Sequence, residues 1–310
     1  MNSLVSIIVP NFNHSIFLKN RLESIFNQTY KNFEVILLDD CSTDDSWEII
    51  SKYINHPKVS YCIKNDINSG SPFKQWDKGI SLSKGQWIWI AESDDFADEK
   101  FLMTLIDQID DKTSLVYCAS MNIDRNNNES GVNNFSSFLN KDRWNSNYVN
   151  DGLDEISNYL FYGNTIVNAS GVIFKNLYNF PKTIIEMRFC GDWFFWIYIL
   201  SQGNVKYISL PLNYFRSHDQ VSRNRKDPKS ELKRFQEWKI TLDYTKSFLV
   251  KRINIFSDSR KFDWMIDEML KQKLKNGRFS WYLNTPPLPS FLKPYFYLRL
   301  FKLYLTGNIS

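Results

Sequence analysis

The chain has 310 residues, 43% hydrophobic and 23% charged, with a formal net charge of +4. That balance is too mild to argue for nucleic acid as a partner, and the length allows one large domain or two small ones. Cys41, Cys62, Cys118 and Cys190 form neither a CxxC pair nor a regular ladder, so disulfides and structural zinc are not expected and a reducing cytoplasm suits the composition. The opening MNSLVSIIVPNFNH lacks a basic start and a long apolar run, so no signal peptide is expected, and no stretch reaches the length of a membrane span.

In chain order, Leu4 to Val9 reads as a buried strand ended by Pro10. Ser15 is placed to cap a helix with Leu18, Leu22, Ile25 and Phe26 on one face. Phe33 to Leu38 is a second strand, DDCSTDDS a turn, and Trp47 to Tyr53 a helix. Lys58 to Ile63 makes a third strand, a loop carries Asn68-Ser69-Gly70, and a helix covers Pro72 to Ser83. Gln86 to Ala91 is a fourth strand, with Asp98 as cap of another helix. Four alternations of helix with continuously apolar strands predict an α/β fold, a mostly parallel Rossmann-like sheet flanked by helices. Residues 124–154, rich in Asn and Ser, read as a loop excursion. A strand near Asn164 to Phe174, a helix from Trp193 to Gln202 and strands from Val205 to Arg216 follow. Residues 228–276 read as mostly helical. The expected division is a domain over residues 1–220 and a helical C-terminal extension over residues 221–310.

Three strand ends carry polar clusters: Pro10-Asn11-Phe12-Asn13, Asp39-Asp40-Cys41-Ser42-Thr43-Asp44 and Glu92-Ser93-Asp94-Asp95. Each by itself is turn or cap chemistry as readily as a site. Together they fall on one edge of a parallel sheet, where such sheets bind ligands. The run WIWIAESDD raises the sharper question, because like charges so close are costly to bury unpaired. With neither GxGxxG nor GxxxxGK[ST] present, a bound phosphate would need a cation for neutralisation, and hard carboxylate oxygens suit Mg2+ or Mn2+.

VSIIVPNFNH, EVILLDDCSTDDS, NSGSPFKQWDKGI and KGQWIWIAESDD resemble, in order and spacing, family 2 glycosyltransferases of the GT-A fold; the resemblance covers roughly residues 3–120 and resumes at CGDWFFW and YFRSH. It implies a nucleotide-binding part over residues 1–120 and an acceptor part over residues 121–220, with a nucleotide pocket lined by Pro10, Asn11 and Asn13, Asp40 facing the base and Asp39 beside it or structural. Glu92-Ser93-Asp94 stands in the family's Asp-x-Asp place: Asp94 would hold the metal, and Glu92, one methylene longer than the usual aspartate, would reach ribose or metal. Asp95 would be a supporting residue or a helix cap. Asp192 fits the base that deprotonates the acceptor hydroxyl, although Gly191 stands where many relatives carry Glu, and an aspartate there is equally a natural helix cap. Trp193 is a sugar-stacking wall or a core aromatic. Arg216 and His218 would reach the diphosphate or the metal, or sit at the surface. His14 is assigned no role.

The implied activity is an inverting, metal-dependent transfer of one sugar from a nucleotide donor, UDP above all, to a lipid-linked glycan acceptor in bacterial surface polysaccharide assembly. QxxRW is absent, which favours single additions over polymerisation. The rivals are a catalytically silent glycan- or nucleotide-binding module and a sugar nucleotidyltransferase; the latter needs a glycine-rich basic loop that PNFNHSIF does not supply. An oligomer is open. The aromatic and basic tail, PPLPSFLKPYFYLRLFKLYL, is expected to lie on the inner face of the cell membrane, or else to dock on the protein's own core or a second subunit.

Overall fold

The computed structural model describes residues 3–217, 227–249, 259–275 and 288–306. The chain begins with β1 (Val5–Asn11), α1 (Ser15–Phe26), β2 (Phe33–Asp39), α2 (Ser46–Ser51), β3 (Val59–Lys64), α3 (Pro72–Leu82) and β4 (Trp87–Ile90). These strands lie in the order β3-β2-β1-β4, all parallel. Every residue of β1, β2 and β4 is buried, as a sheet covered on both faces requires. Alternation sorts the side chains: Val5, Ile7 and Val9 pack with Leu18, Leu22 and Ile25 of α1, while Ile8 faces Phe73, Trp76 and Ile80 of α3. Each fully buried Leu or Ile of α1 contributes about 2 kcal/mol.

Pro10 does not end the first strand; it lies within β1, opposite Leu38. The Ala91 N–H bonds the Ile8 carbonyl and β4 ends at Ile90, so at residue 10 the β4 side of the ladder no longer asks for an N–H. The first helix also begins differently from the expectation. Ser15 is its first residue, and the cap comes from outside, the Ser15 N–H donating to Asp44 Oδ2 at 2.9 Å.

The rest of the sheet domain comprises β5 (Phe96–Ala97), α4 (Phe101–Ile106), β6 (Thr113–Ile123), β7 (Glu129–Val132), β8 (Tyr148–Asn150), α5 (Gly152–Glu155), β9 (Val172–Lys175), α6 (Lys182–Ile185), α7 (Gly191–Leu200) and β10 (Asn204–Arg216). Asp98 supports the entry to α4, its Oδ1 accepting from the Lys100 N–H and its carbonyl from Phe101. The sheet continues β4-β9-β6-β10-β5, with β9 antiparallel to both neighbours and β6 parallel to β10. It is thus parallel through the first four strands and mixed beyond them. β9 enters from the long excursion after β6, and no single crossover helix dictates its direction. That excursion is not only loop: β7 pairs with β6 and β8 with β10. Arg143 pins it, its guanidinium 3.8 Å from the Tyr148 ring centre and 3.9 Å from that of Tyr159, and ion-paired with buried Glu155.

α8 (Pro228–Leu249), α9 (Asp263–Lys275) and α10 (Lys293–Thr306) complete the described elements. Phe235, Trp238, Leu242, Met265, Ile266, Leu292 and Phe296 from this C-terminal region join the same core cluster as Phe73, Trp76 and Trp193. The C-terminal helices therefore close one face of the sheet. The tail docks on its own chain: Leu292 and Phe296 are buried, and Arg299 pairs with Asp263 at 2.9 Å and Asp267 at 2.5 Å. Among the described residues no helix is long and apolar enough to cross a membrane.

Candidate active site

The carboxyl ends of β1 and β2 meet in a dense polar cluster. Asn11 donates from Nδ2 to Asp39 Oδ1 at 2.9 Å and to Ser42 Oγ at 3.1 Å, while Asp39 Oδ2 accepts from the Ser42 N–H. Asp39 is wholly buried and both its oxygens are engaged, so it builds the turn. Asn13 takes a left-handed backbone (φ 58°), which Asn tolerates, and its Oδ1 accepts from the Thr43 N–H. Asp40 is the hub of the next loop: Oδ1 accepts from Asn65 Nδ2, the Ser69 N–H and Gln75 Nε2, and Oδ2 from the Ser69 hydroxyl. The NSGSPFKQW run thus folds around Asp40. Among the described residues the buried acceptors Asn11 Oδ1 and Gln75 Oε1 have no hydrogen-bond partner.

The turn after β4 is held from below by two buried arginines. Arg21, on the inner face of α1, donates from Nε to the Glu92 carbonyl at 2.8 Å and sits 5.5 Å from the Trp89 ring centre. Burial lowers Arg21 to about 10, against the pull of Asp95, Asp94 and Glu92. Arg216, at the end of β10, donates from Nε to the Asp94 carbonyl and from its backbone N–H to Asp95 Oδ1, while Nη1 reaches the Asp124 carbonyl. Its guanidinium lies 4.6 Å from the Phe17 ring centre and is 1% exposed. Arg216 is therefore a clamp on the acid turn rather than a surface arm.

Within that turn the three carboxylates differ. Asp95 is buried, both oxygens taken by the Arg216 N–H and Asn168 Nδ2, and it caps no helix. Glu92 is half-buried; its Oε1 accepts from Trp76 Nε1 at 2.9 Å and its N–H donates to Ser170 Oγ. Burial, with Asp94 next, pushes Glu92 up to about 8, and the same two causes raise Asp95. Ser93 is buried, its hydroxyl 2.8 Å from His14 Nδ1, which brings His14 to the site although the sequence assigned it nothing. Among the described residues no group of three His, Cys, Asp or Glu side chains forms a metal cage. His218 lies outside the described residues.

Asp192 is the second residue of α7, not its cap, because the helix starts at Gly191. Its Oδ1 accepts from the Trp193 N–H at 2.8 Å and its Oδ2 from Asn164 Nδ2 at 2.9 Å. Desolvation pushes it up to about 7, the range in which a carboxylate is a useful base near neutral pH. Gly191 has no room for a side chain: a Cβ there would meet the Phe73 ring at 2.6 Å. Trp193 is 2% exposed and its Nε1 donates to the Leu160 carbonyl, so it is a core aromatic and offers no face to a sugar. Trp76 connects the two halves of the site, bonded to Glu92 and packed with its ring centre 6.0 Å from that of Trp196 on α7.

The profile of glycosyl transferase family 2 matches residues 6–163, half of the chain. The chain belongs to this family. Over 112 residues it is 37% identical to the glycosyltransferase GlyG of Streptococcus pneumoniae, covering 36% of this chain and 37% of that one. Over 93 residues it is 40% identical to the UDP-Glc:alpha-D-GlcNAc-diphosphoundecaprenol beta-1,3-glucosyltransferase WfaP of Escherichia coli, covering 30% and 36%. The matched segments thus span little more than a third of these relatives. The crystal structure of Staphylococcus aureus TarS residues 1–349 shares the fold, with a TM-score of 0.59 at 18% identity, covering 98% of this chain and 92% of that one. TarS has also been solved with UDP and with UDP-GlcNAc. In this family 2 chain, the residues that sequence reasoning missed are supports: Arg21, Trp76, Asn164, Asn168 and Ser170. Trp76 stands inside the NSGSPFKQWDKGI run; the others carry no local signal, since their partners lie 28 to 78 positions away.

Proposed function

We propose that this family 2 protein is an inverting glycosyltransferase that moves single sugars from a UDP-sugar to a lipid-linked glycan acceptor. The observation that carries the reading is Asp192: a carboxylate poised near neutrality at the start of α7, tied through Trp76 and its aromatic neighbours to the acid turn beyond β4. UDP-sugar chemistry is supported by WfaP's name and by the TarS complexes with UDP and UDP-GlcNAc. Asn11, Asn13 and the loop folded on Asp40 would bind the nucleoside, Pro10 shaping the wall. Asp192 would take the acceptor hydroxyl's proton as that oxygen attacks the anomeric carbon and the nucleoside diphosphate departs.

The donor set fits a hard divalent cation, Mg2+ or Mn2+, bound largely through the substrate's phosphates. Half-buried Asp94, at the Asp-x-Asp place of the turn beyond β4, would be the principal protein ligand, and Glu92, whose Oε1 accepts from Trp76, an auxiliary. When bound, such a cation stabilises the charge growing on the leaving diphosphate. The lipid-linked acceptor would be met at the inner membrane face. Tyr297 and Leu298, 49% and 66% exposed on α10 beside exposed Lys293, supply a small surface for that contact. The test is UDP release from a panel of UDP-sugars with and without Mn2+, using diphosphate-linked lipid acceptors. Nucleotide binding without release under every condition would favour a silent binding module and overturn the reading.

A further inference from the structure

The C-terminal helix α8 sends the Glu237 carboxylate into the heart of the molecule. Glu237 is 1% exposed, and burying a carboxylate is costly unless its oxygens are satisfied. Here they are satisfied by the chain just ahead of α7. Oε1 accepts from the Arg188 N–H at 2.9 Å, and Oε2 from the Phe189 and Cys190 N–H groups at 2.8 and 2.9 Å. Three successive backbone donors converging on one carboxylate make a charge-assisted clamp, and a negative charge there also suits the amino end of a helix. Asp192 stands two residues beyond the last of these donors.

The same turn is gripped on its other side by the loop that folds around Asp40. Ser71 Oγ donates to the Met187 carbonyl at 2.9 Å, and Arg188 Nη1 to the Gly70 carbonyl at 2.9 Å. Residues 187–190 therefore hang between the nucleotide-side loop and α8, and the start of α7 inherits its place from both. We propose that Glu237 is the positioning residue of Asp192, making α8 a component of the transfer machinery rather than a cover over the sheet. The proposal rests on Asp192 being the base.

The charged surroundings give this arrangement a second consequence. Asp192 is raised first by desolvation, and its bonds from the Trp193 N–H and Asn164 oppose that; Glu237 adds a smaller like-charge push in the same direction. Around Glu237 stand Lys233, 3.8 Å away on α8, together with Arg234 and the Cys190 thiol. Glu237→Gln keeps the shape and one acceptor oxygen but turns an amide N–H2 toward a backbone N–H. It should thus loosen the turn and remove the like charge together.

Two measurements test this. The first is the Asp192 carboxyl titration by carbon NMR, its signal assigned through Asp192→Asn. The second is kcat and KM for UDP release from UDP-glucose and UDP-GlcNAc. In Glu237→Gln the Asp192 midpoint should fall, and kcat should fall by about tenfold with donor KM within about twofold. Glu237→Asp keeps the charge on a stem one methylene too short, so it should restore the midpoint while kcat stays low. If Glu237→Gln does not fold, Glu237→Asp carries the test alone through its kcat. Wild-type kcat and an unmoved midpoint in a folded Glu237 variant would overturn the proposal, and with Asp192→Asn inactive the base assignment would still stand. An active Asp192→Asn would overturn both.

Discussion

Asp192→Asn separates a catalytic carboxylate from a structural one, because the structure predicts opposite effects on turnover and on stability. Asp192 rises from 3.8 to about 7 on folding. A raised carboxylate binds its proton more tightly folded than unfolded, so its contribution is fully present below about 3.8 and is lost as pH climbs through about 7. Three units correspond to about 4 kcal/mol, and the partly exposed edge of this side chain reduces that to about 2 kcal/mol. Asparagine escapes that penalty and can still accept from the Trp193 N–H. It cannot accept as a carboxylate does from Asn164, whose own Oδ1 already takes the Ile166 N–H, and the loss costs about 1 kcal/mol. The variant should therefore be about 1 kcal/mol more stable than wild type at pH 8.5, and equal or less stable at pH 5. Urea midpoints at the two pH values read this directly. Turnover at pH 8.5 should fall by a factor of about 10² to 10⁴, and the wild-type rate should decline as pH drops below about 7. A flat wild-type profile between pH 5.5 and 8.5, or an Asn variant retaining a tenth of wild-type turnover, would refute the assignment.

Asp94→Ala should abolish Mn2+-dependent tightening of UDP binding in calorimetry; an unchanged Mn2+ response would remove Asp94 as a ligand. Arg143→Ala leaves Glu155 buried without its cation and should cost about 3 kcal/mol, seen as a lower urea midpoint and faster proteolysis within residues 124–154; an unchanged midpoint would show that the excursion is held some other way. Deleting residues 288–310 would strip Leu292 and Phe296 from the core, so membrane contact is better tested by Tyr297→Ser with Leu298→Ser. Those exposed positions should leave the melting curve unchanged and reduce flotation with anionic liposomes; equal flotation would remove α10 as the contact.

The sequence by itself determined the α/β class, the first four strands to within two residues and the three polar clusters at their carboxyl ends. Those features are local: apolar runs of strand length, punctuating Gly and Pro, and acids placed where a strand must stop. It also placed Asp192 at the start of a helix, but as cap or base with equal ease. Only the tertiary structure decided the rest, because it depends on which distant atoms meet. Trp193 became core when Leu160 took its N–H, and Arg216 became a clamp when the Asp94 carbonyl met its Nε. The antiparallel course of β9 and the pairing of β8 with β10 arise from partners far along the chain. Glu237 is the sharpest case. In sequence it is one acid among several on a charged helix, and burial against three backbone N–H groups 47 to 49 residues away gives it a site to hold.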